Sequence, residues 1–503
     1  MAANDETRIA REFHDGTTHT PQSVRTSGHS LEWDIKPFPF KIYPELAAIS
    51  LARSFGPVTA DTFAALGAGD FRPASSLTLE RLAALLYFSA GVTKKKSYPG
   101  GGEVLFRAAP STGALYQTEA YVVAGAVEGL EPGLYHFCPG DFTLRRLRAG
   151  DARGALAAAA ADDSVARRAA TIVLTAIYWR NTWKYQARGW RHLYWDSGTM
   201  LANLLAVARA EGYTPRLLTG FVDERVNRLL GIDPDREAAL ELVVVGPEVA
   251  AAASATEIDE IHPATLPLSS DEVDYRELRR MQWASMLDPT DAVRQWRRTA
   301  PPPSRPVQGA LTALPKPRAE SGRALGDTIE HRGSTRRFSH EPLTALELAT
   351  VLWWATRPAE VDVPAGFVDV YLIVNAVEDV AAGAYRYVAR DHGLEQISMG
   401  EYRRQSAFLT LEQALGGDAA AVLYFLAPLD AVLASWGNRG YRLANLEAGL
   451  IGGRAYLAAY AQRFGASGLT FYDRDVVRFF SPHAQGLDAI FVTALGRSAR
   501  GAW

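Results

Sequence analysis

Arg188-Gly189-Trp190-Arg191, followed by Asp196 and Gly198, is written a second time as Arg439-Gly440-Tyr441-Arg442, followed by Glu447 and Gly449, an offset of 251 (439 − 188). Upstream of it, Gly133-Leu134-Tyr135-His136-Phe137 returns as Gly383-Ala384-Tyr385-Arg386-Tyr387, an offset of 250. Downstream, Phe221-Val222-Asp223 returns as Phe471-Tyr472-Asp473, again at 250. Three anchors in one register mark a duplicated domain, since the units of a solenoid repeat every 20–50 residues. Two copies of one domain in a chain are expected to fold as an intrachain pseudo-dimer with the interface of a two-fold homodimer. A ligand site on such an interface exists twice, and each instance is then free to be kept or lost.

Composition narrows the class. The chain has 503 residues, 48% hydrophobic and 22% charged, with a formal net charge of −3, ordinary values for a globular protein with a large core. Charge of both signs is spread along it, so neither a nucleic acid nor a membrane is expected as partner. The one cysteine, Cys138, excludes an intrachain disulfide and any CxxC site. The N-terminal residues lack an apolar signal core and no run of 18 apolar residues follows, so a soluble cytoplasmic protein is expected. Ten histidines without HxH or HExxH spacing give no metal site. No GxxxxGK[ST] or strand-borne GxGxxG occurs, and Ser111 lies in no GxSxG elbow.

Four segments follow. Residues 1–60, rich in His, Thr, Ser and Pro, read as an extended arm; 61–246 is the first copy; 247–318 is a helical (271–298) and Pro-rich (301–317) linker; 319–503 is the second copy. In the first copy the patterning predicts a helix over 77–90, strands over 121–126, 171–178 and 240–245, and a central buried helix over 194–209. In the second it predicts helices over 343–356 and 442–463 and strands over 370–374, 420–426 and 489–494. The alanine-rich run 155–161 reads as a surface helix. The fold class is α+β, duplicated in tandem.

The copies differ where chemistry is expected. Arg332-Gly333-Ser334-Thr335-Arg336-Arg337-Phe338 gathers guanidinium forks and hydroxyls that suit a phosphate monoester, or else form a basic surface loop. Setting Leu343 against Leu77, an offset of 266, puts Leu66, Ala68 and Asp70 opposite Arg332, Ser334 and Arg336. The first copy lacks the phosphate ligands. Conversely, Arg107-Ala108-Ala109-Pro110-Ser111-Thr112-Gly113-Ala114-Leu115-Tyr116-Gln117 holds a Pro-Ser-Thr-Gly turn on which a flat ring can settle, because Gly113 has no Cβ. At an offset of 250 the second copy has Glu360, Val361, Asp362 and Val363 there. Complementary decay is what a single site built from both copies leaves behind.

These residues carry a resemblance. Arg332, Ser334, Arg336 and Phe338 resemble the arginine-serine-basic-aromatic signature of flavin-dependent nitroreductases, and RAAPSTGALY, the GLYHF hairpin and Trp183-Lys184-Tyr185 resemble its SagB-type, ThcOx-like azoline-oxidase branch. The resemblance implies an FMN-binding α+β fold with its active site between the two copies. It implies that Arg332, Ser334, Arg336 and Arg497 hold the FMN phosphate, and that Arg107, Pro110, Ser111, Thr112 and Gly113 face the ribityl chain and ring. It implies also that Lys184 and Tyr185 handle a substrate proton. Ser435 and Trp436 stand opposite that pair, so the second copy lacks it, and one FMN per chain is expected. The chain departs from the branch at Gln117, where proline is usual.

The function so implied is an FMN-dependent dehydrogenase or oxidase desaturating a peptide- or amino-acid-derived heterocycle or amide in natural-product (RiPP) biosynthesis, possessing a peptide substrate and room for a biosynthetic partner protein. Two alternatives stand beside it: an NAD(P)H-dependent nitro or quinone reductase, and a flavin-less scaffold that binds a peptide or partner. Lys94-Lys95-Lys96 before a glycine-rich tip reads as a basic loop near the pocket, open to an acidic leader peptide or simply solvated.

Overall fold

A computed structural model describes residues 3–67, 69–97, 103–255 and 258–499. It contains two seven-stranded sheets of one topology. In the first the strand order is Ala48–Ser50, Thr143–Ala149, Gly133–Cys138, Thr118–Ala124, Arg168–Ile177, Glu237–Glu248, Arg216–Leu218. In the second it is Leu311–Ala313, Gly393–Met399, Gly383–Val388, Asp369–Val374, Ala421–Ala427, Asp488–Gly496, Gly465–Gly468. Neighbouring strands in both run antiparallel. The duplicated α+β fold expected from the repeat is present.

The repeated residues are the ones this geometry needs. Gly133 and Gly383 begin equivalent strands just before a register shift in the pairing. A Cβ on either would stand 2.6 Å from a carbonyl oxygen of the neighbouring strand, that of Arg148 or Ser398. Thr78 and Thr344 each accept a backbone N–H at the start of the helices Leu79–Ala90 and Ala345–Ala355, equivalent caps at the separate 266-residue offset.

The long helices Gly189–Ala210 and Arg439–Ala461 are buried along nearly their whole length and pack on one another. Their backbones meet at two glycines. A Cβ on Gly198 would lie 2.6 Å from the Leu446 carbonyl oxygen, and one on Gly449 would lie 2.4 Å from that of Trp195. Since 195 maps to 446 and 198 to 449 at the same offset, the contact is reciprocal, as in an isologous interface. Charge follows the same rule. Asp473 of the second copy takes Arg188 at 3.0 Å and Arg191 at 2.6 Å from the first. Asp223 of the first takes Arg439 at 2.6 Å and Arg442 at 2.7 Å from the second. Burial pushes the Asp473 carboxyl up, but the two guanidiniums prevail and hold it far below the ordinary range.

Arm and linker stitch the copies together. The arm is not simply extended: it forms helices Arg8–Gly16 and Pro21–Thr26. It crosses to the second copy, where Ala10 N donates to Asn438 Oδ1 (3.0 Å), Arg11 pairs with Asp488 (2.9 Å) and His14 meets the Tyr441 hydroxyl (3.0 Å). The linker carries helices Arg276–Ala284 and Thr290–Arg297. Gln282 Oε1 accepts from Trp190 and Tyr194, both at 3.1 Å, and Trp296 donates to the Trp436 carbonyl at 3.0 Å. Each segment also supplies the first edge strand of the sheet that follows it, Ala48–Ser50 and Leu311–Ala313, so boundaries at 60 and 318 cut those strands from their sheets.

The alanine-rich run departs from expectation. The helix Arg153–Ala160 buries Leu156, Ala157, Ala159 and Ala160 in a cluster with Phe221, Val226 and Leu229. Small side chains there permit close packing rather than marking a surface. Among the described residues no helix is long and apolar enough to cross a membrane, and no group of three metal-ligating side chains occurs.

Candidate functional site

The Pro-Ser-Thr-Gly turn is held from beneath by one carboxylate. Asp196, on the central helix, accepts hydrogen bonds from Ser111 Oγ (2.6 Å), Thr112 N (2.8 Å), Thr112 Oγ1 (2.7 Å) and Gln117 Nε2 (2.7 Å). Thr199, one turn on, donates to the Pro110 carbonyl at 2.8 Å. Both hydroxyls of the turn are therefore committed inward. The chain passes through the left-handed region at Gly113 (φ 65°), and a Cβ there would stand 2.9 Å from the Tyr185 hydroxyl. Only glycine leaves this face open. Burial pushes Asp196 up to about 6 despite its four donors.

Gln117, the departure from the usual proline, links this network to the next. Its amide nitrogen also reaches the His192 carbonyl (3.0 Å), and its oxygen accepts from Asn181 Nδ2 (3.2 Å). Asn181 belongs to the helix Tyr178–Tyr185, whose last two residues are Lys184 and Tyr185. The helix stops at Gln186, itself at φ 50°, and the Tyr185 ring stands edge-on to His192 at 4.6 Å. The Lys184 ammonium is lowered from its ordinary range, first by burial and then by the neighbouring cations Arg336 and Lys36. Tyr185 is raised, by burial first and then by Asp196.

The second copy closes the site. Ser334 Oγ lies 3.2 Å from the Tyr456 hydroxyl, and Arg336 faces Lys184 across the gap. Pro110, Ser111, Thr112, Gly113, Lys184 and Tyr185 thus share one cavity of about 330 Å³ with Ser334, Arg336, Trp195, Tyr456, Thr470 and Phe491. Among the described residues neither Arg336 nor Lys184 has a hydrogen-bonding or carboxylate partner. Two uncompensated cations, a hydroxyl and an aromatic floor beside a glycine turn suit a flat, anionic ligand, and FMN fits that donor set.

Three expected ligands stand elsewhere. Arg332 gives Nε to the Ala108 carbonyl (2.9 Å) and Nη2 to that of Arg107 (3.1 Å), tying its loop to the first copy. Arg107 is buried, pushed down to about 10 by burial, and gives Nη2 to the Pro39 carbonyl at 2.6 Å. Arg497 is held by Glu347 at 2.9 Å and lines a separate basic cavity with Lys94, Arg323 and Arg463. Lys94 donates to the carbonyls of His331 (3.1 Å) and Arg332 (3.0 Å). The glycine-rich tip expected at 98–102, and Ala68 opposite Ser334, lie outside the described residues. Sequence reasoning did not assign Asp196 a site role, although a lone acid inside an apolar helix, matched by Glu447, was a signal.

A model of the nitroreductase family matches residues 70–246 and 329–493, one stretch for each half of the cavity. The chain belongs to the nitroreductase family. The family is one of flavin oxidoreductases, and this member carries two of its domains in tandem. A nitroreductase structure from Anabaena variabilis superposes with a TM-score of 0.78 at 28% identity, covering 98% of this chain and 99% of the other. A Methanocaldococcus jannaschii protein named as a nitroreductase is 29% identical over 176 residues, 35% of this chain and 83% of that one. The trifolitoxin-processing protein TfxB of Rhizobium leguminosarum bv. trifolii is 29% identical over 180 residues, 34% of this chain and 48% of TfxB.

Proposed function

We propose that this nitroreductase-family chain is an FMN-dependent dehydrogenase of the SagB type, which desaturates a heterocycle or amide in a peptide-derived substrate. The observation that carries the reading is the single cavity in which Gly113, Lys184 and Tyr185 of one copy meet Ser334 and Arg336 of the other. In it the two copies act as an intrachain pseudo-dimer that keeps one site. Likeness to a trifolitoxin-processing protein supports a peptide substrate in natural-product biosynthesis, with room for a partner protein.

Arg336 and Ser334 would hold the cofactor from the second copy, and the 110–113 turn would support its ring from the first. Arg332 would act by fastening the Arg332–Phe338 loop to the first copy. FMN, when bound, supplies a hydride acceptor. The remaining task is a proton. Lys184, lowered by burial and by Arg336, is suited to take a proton from substrate, while Tyr185, raised by burial, stays protonated and donates a hydrogen bond. Gln117 and Asn181 hold His192 under Tyr185 and keep that ring in place.

A second reading, NAD(P)H-dependent reduction of a nitro group or quinone, is favoured by the full-length likeness to the Anabaena nitroreductase. Anaerobic mixing separates the two. Bleaching of the flavin band by a thiazoline- or oxazoline-bearing peptide, and not by NADPH, is the expected result. Fast bleaching by NADPH and none by the peptide would favour the reductase.

A further inference from the structure

The reciprocal packing predicts a second instance of the cavity on the opposite side of the central helices. A cavity of about 500 Å³ exists there. Leu446, Glu447 and Leu450 line it in the places of Trp195, Asp196 and Thr199, an offset of 251. Glu447 accepts from Gly366 N at 2.5 Å, as Asp196 accepts from Thr112 N. The counterpart of the lost turn is therefore the stretch 366–368, a few residues later than the 250 offset implied. The cavity is larger than the first, about 500 against 330 Å³, and its chemistry differs: Val363, Val368, Leu443 and Ile451 give it an apolar wall.

Four buried polar atoms in this lining, on Arg305, Arg386, Glu447 and Arg454, lack a hydrogen-bond partner. Glu447 Oε2 and Arg454 Nη2 are both enclosed without a hydrogen bond, although Arg454 gives Nη1 to the Arg357 carbonyl. They stand two turns apart on one helix, with Leu450 and Ile451 between them. The other cations of the lining are engaged: Arg386 with Glu395 at 2.8 Å, Arg305 with the His483 carbonyl at 2.5 Å, Arg390 with Asp391 at 3.1 Å, and Arg357 over the Trp353 ring at 3.6 Å. An unpartnered buried guanidinium is costly unless an acceptor reaches it. An apolar pocket with a few convergent polar groups is the ordinary form of a small-molecule site.

We infer that this second cavity binds an apolar carboxylate, its acid group drawn to the Arg454 guanidinium, its apolar body along Leu443, Leu446 and Leu450, and an amide or hydroxyl near Glu447. Two sources share that chemistry, the C-terminus of an apolar peptide and a free aromatic or aliphatic acid. The inference does not depend on the flavin reading, because it concerns the other cavity.

Titration calorimetry on the full chain with its native cofactor content tests it, using phenylbutyrate, phenylbutanol and N-acetyl-Leu-Phe as probes. The acids are expected to bind about tenfold more tightly than the alcohol, a difference of one charge-assisted contact. Arg454→Met is expected to erase that preference while alcohol binding persists. Val363→Trp and, independently, Leu450→Trp are expected to abolish binding of all three, with an unchanged melting temperature reporting an intact fold. N-acetyl-Leu-Phe stronger than phenylbutyrate identifies a peptide terminus, and the reverse order a free acid; both support the site. Equal affinity of acid and alcohol in the unaltered chain, acid binding that survives both tryptophans, or no binding at millimolar probe would overturn it.

Discussion

At the scale of single residues, Asp196 sets the shape of the 110–113 turn, the proposed ring cradle. Asp196→Asn keeps the size but turns one acceptor into a donor facing Ser111, Thr112 and Gln117. Flavin affinity is expected to fall by about tenfold or more, since each lost charge-assisted bond is worth roughly 1.5–3 kcal/mol. Fluorescence titration with FMN checks this, and unchanged affinity would remove Asp196 from the account. Because folding raises this carboxyl to about 6, it favours the folded state below its unfolded value and loses that contribution as pH rises through about 6. Lys184 belongs to the same scale. Lys184→Ala should leave the protein yellow and abolish turnover with the azoline peptide. The unaltered enzyme should gain rate with pH through an apparent value below that of an ordinary lysine, in the direction of its shift. The Pro-Ser-Thr-Gly turn, Lys184, Tyr185, Ser334 and Arg336, grouped in one proposed site from the sequence, line one cavity. The placement of Arg107, Arg332 and Arg497 was not legible in the sequence. A guanidinium reaches far from its own Cα, and these three are taken by the Pro39, Ala108 and Arg107 carbonyls and by Glu347.

At the scale of elements, the two glycines at the helix crossing decide how closely the copies approach. Gly449→Val would drive side-chain carbon into the Trp195 carbonyl from a Cβ already at 2.4 Å. Overpacking of this kind costs about 1–3 kcal/mol or more, and a clearly lowered melting temperature is expected. Gly56→Ala, where a Cβ meets nothing within 4 Å, is the control and should melt as the parent does. The central strands and long helices were readable because each contains a run of apolar and small residues whose length separates strand from helix. Edge strands Ala48–Ser50 and Leu311–Ala313 were hidden among prolines, since three exposed or half-exposed residues carry no alternation to read. The alanine run misled for the opposite reason, as small residues are compatible with either environment.

Across the whole molecule, the repeated Arg-Gly-x-Arg and Phe-x-Asp strings proved to be the two ends of one pair of clamps. Asp473→Asn leaves Arg188 and Arg191 buried without a counter-charge and is expected to destabilise the chain by about 3–5 kcal/mol. Denaturant melts measure this, and a change below about 1 kcal/mol would contradict the clamp. Since folding lowers the Asp473 carboxyl, its contribution is complete above the unfolded value of about 4 and fades as pH falls further. Asp223→Asn should do the same from the other side. The copies also differ in sequence where the proposed site is built, at residues 110–113 in the first and 332–338 in the second.

The most direct measurement is equilibrium dialysis of FMN against the full chain, with the released cofactor identified by mass spectrometry. One FMN per chain is predicted, bound at least about tenfold more weakly by Arg336→Ala, whose guanidinium belongs to the second copy, and by Gly113→Val, whose Cβ would enter the cradle of the first. Two FMN per chain, no FMN at all, or undiminished binding in either variant would contradict a single flavin site assembled from both copies.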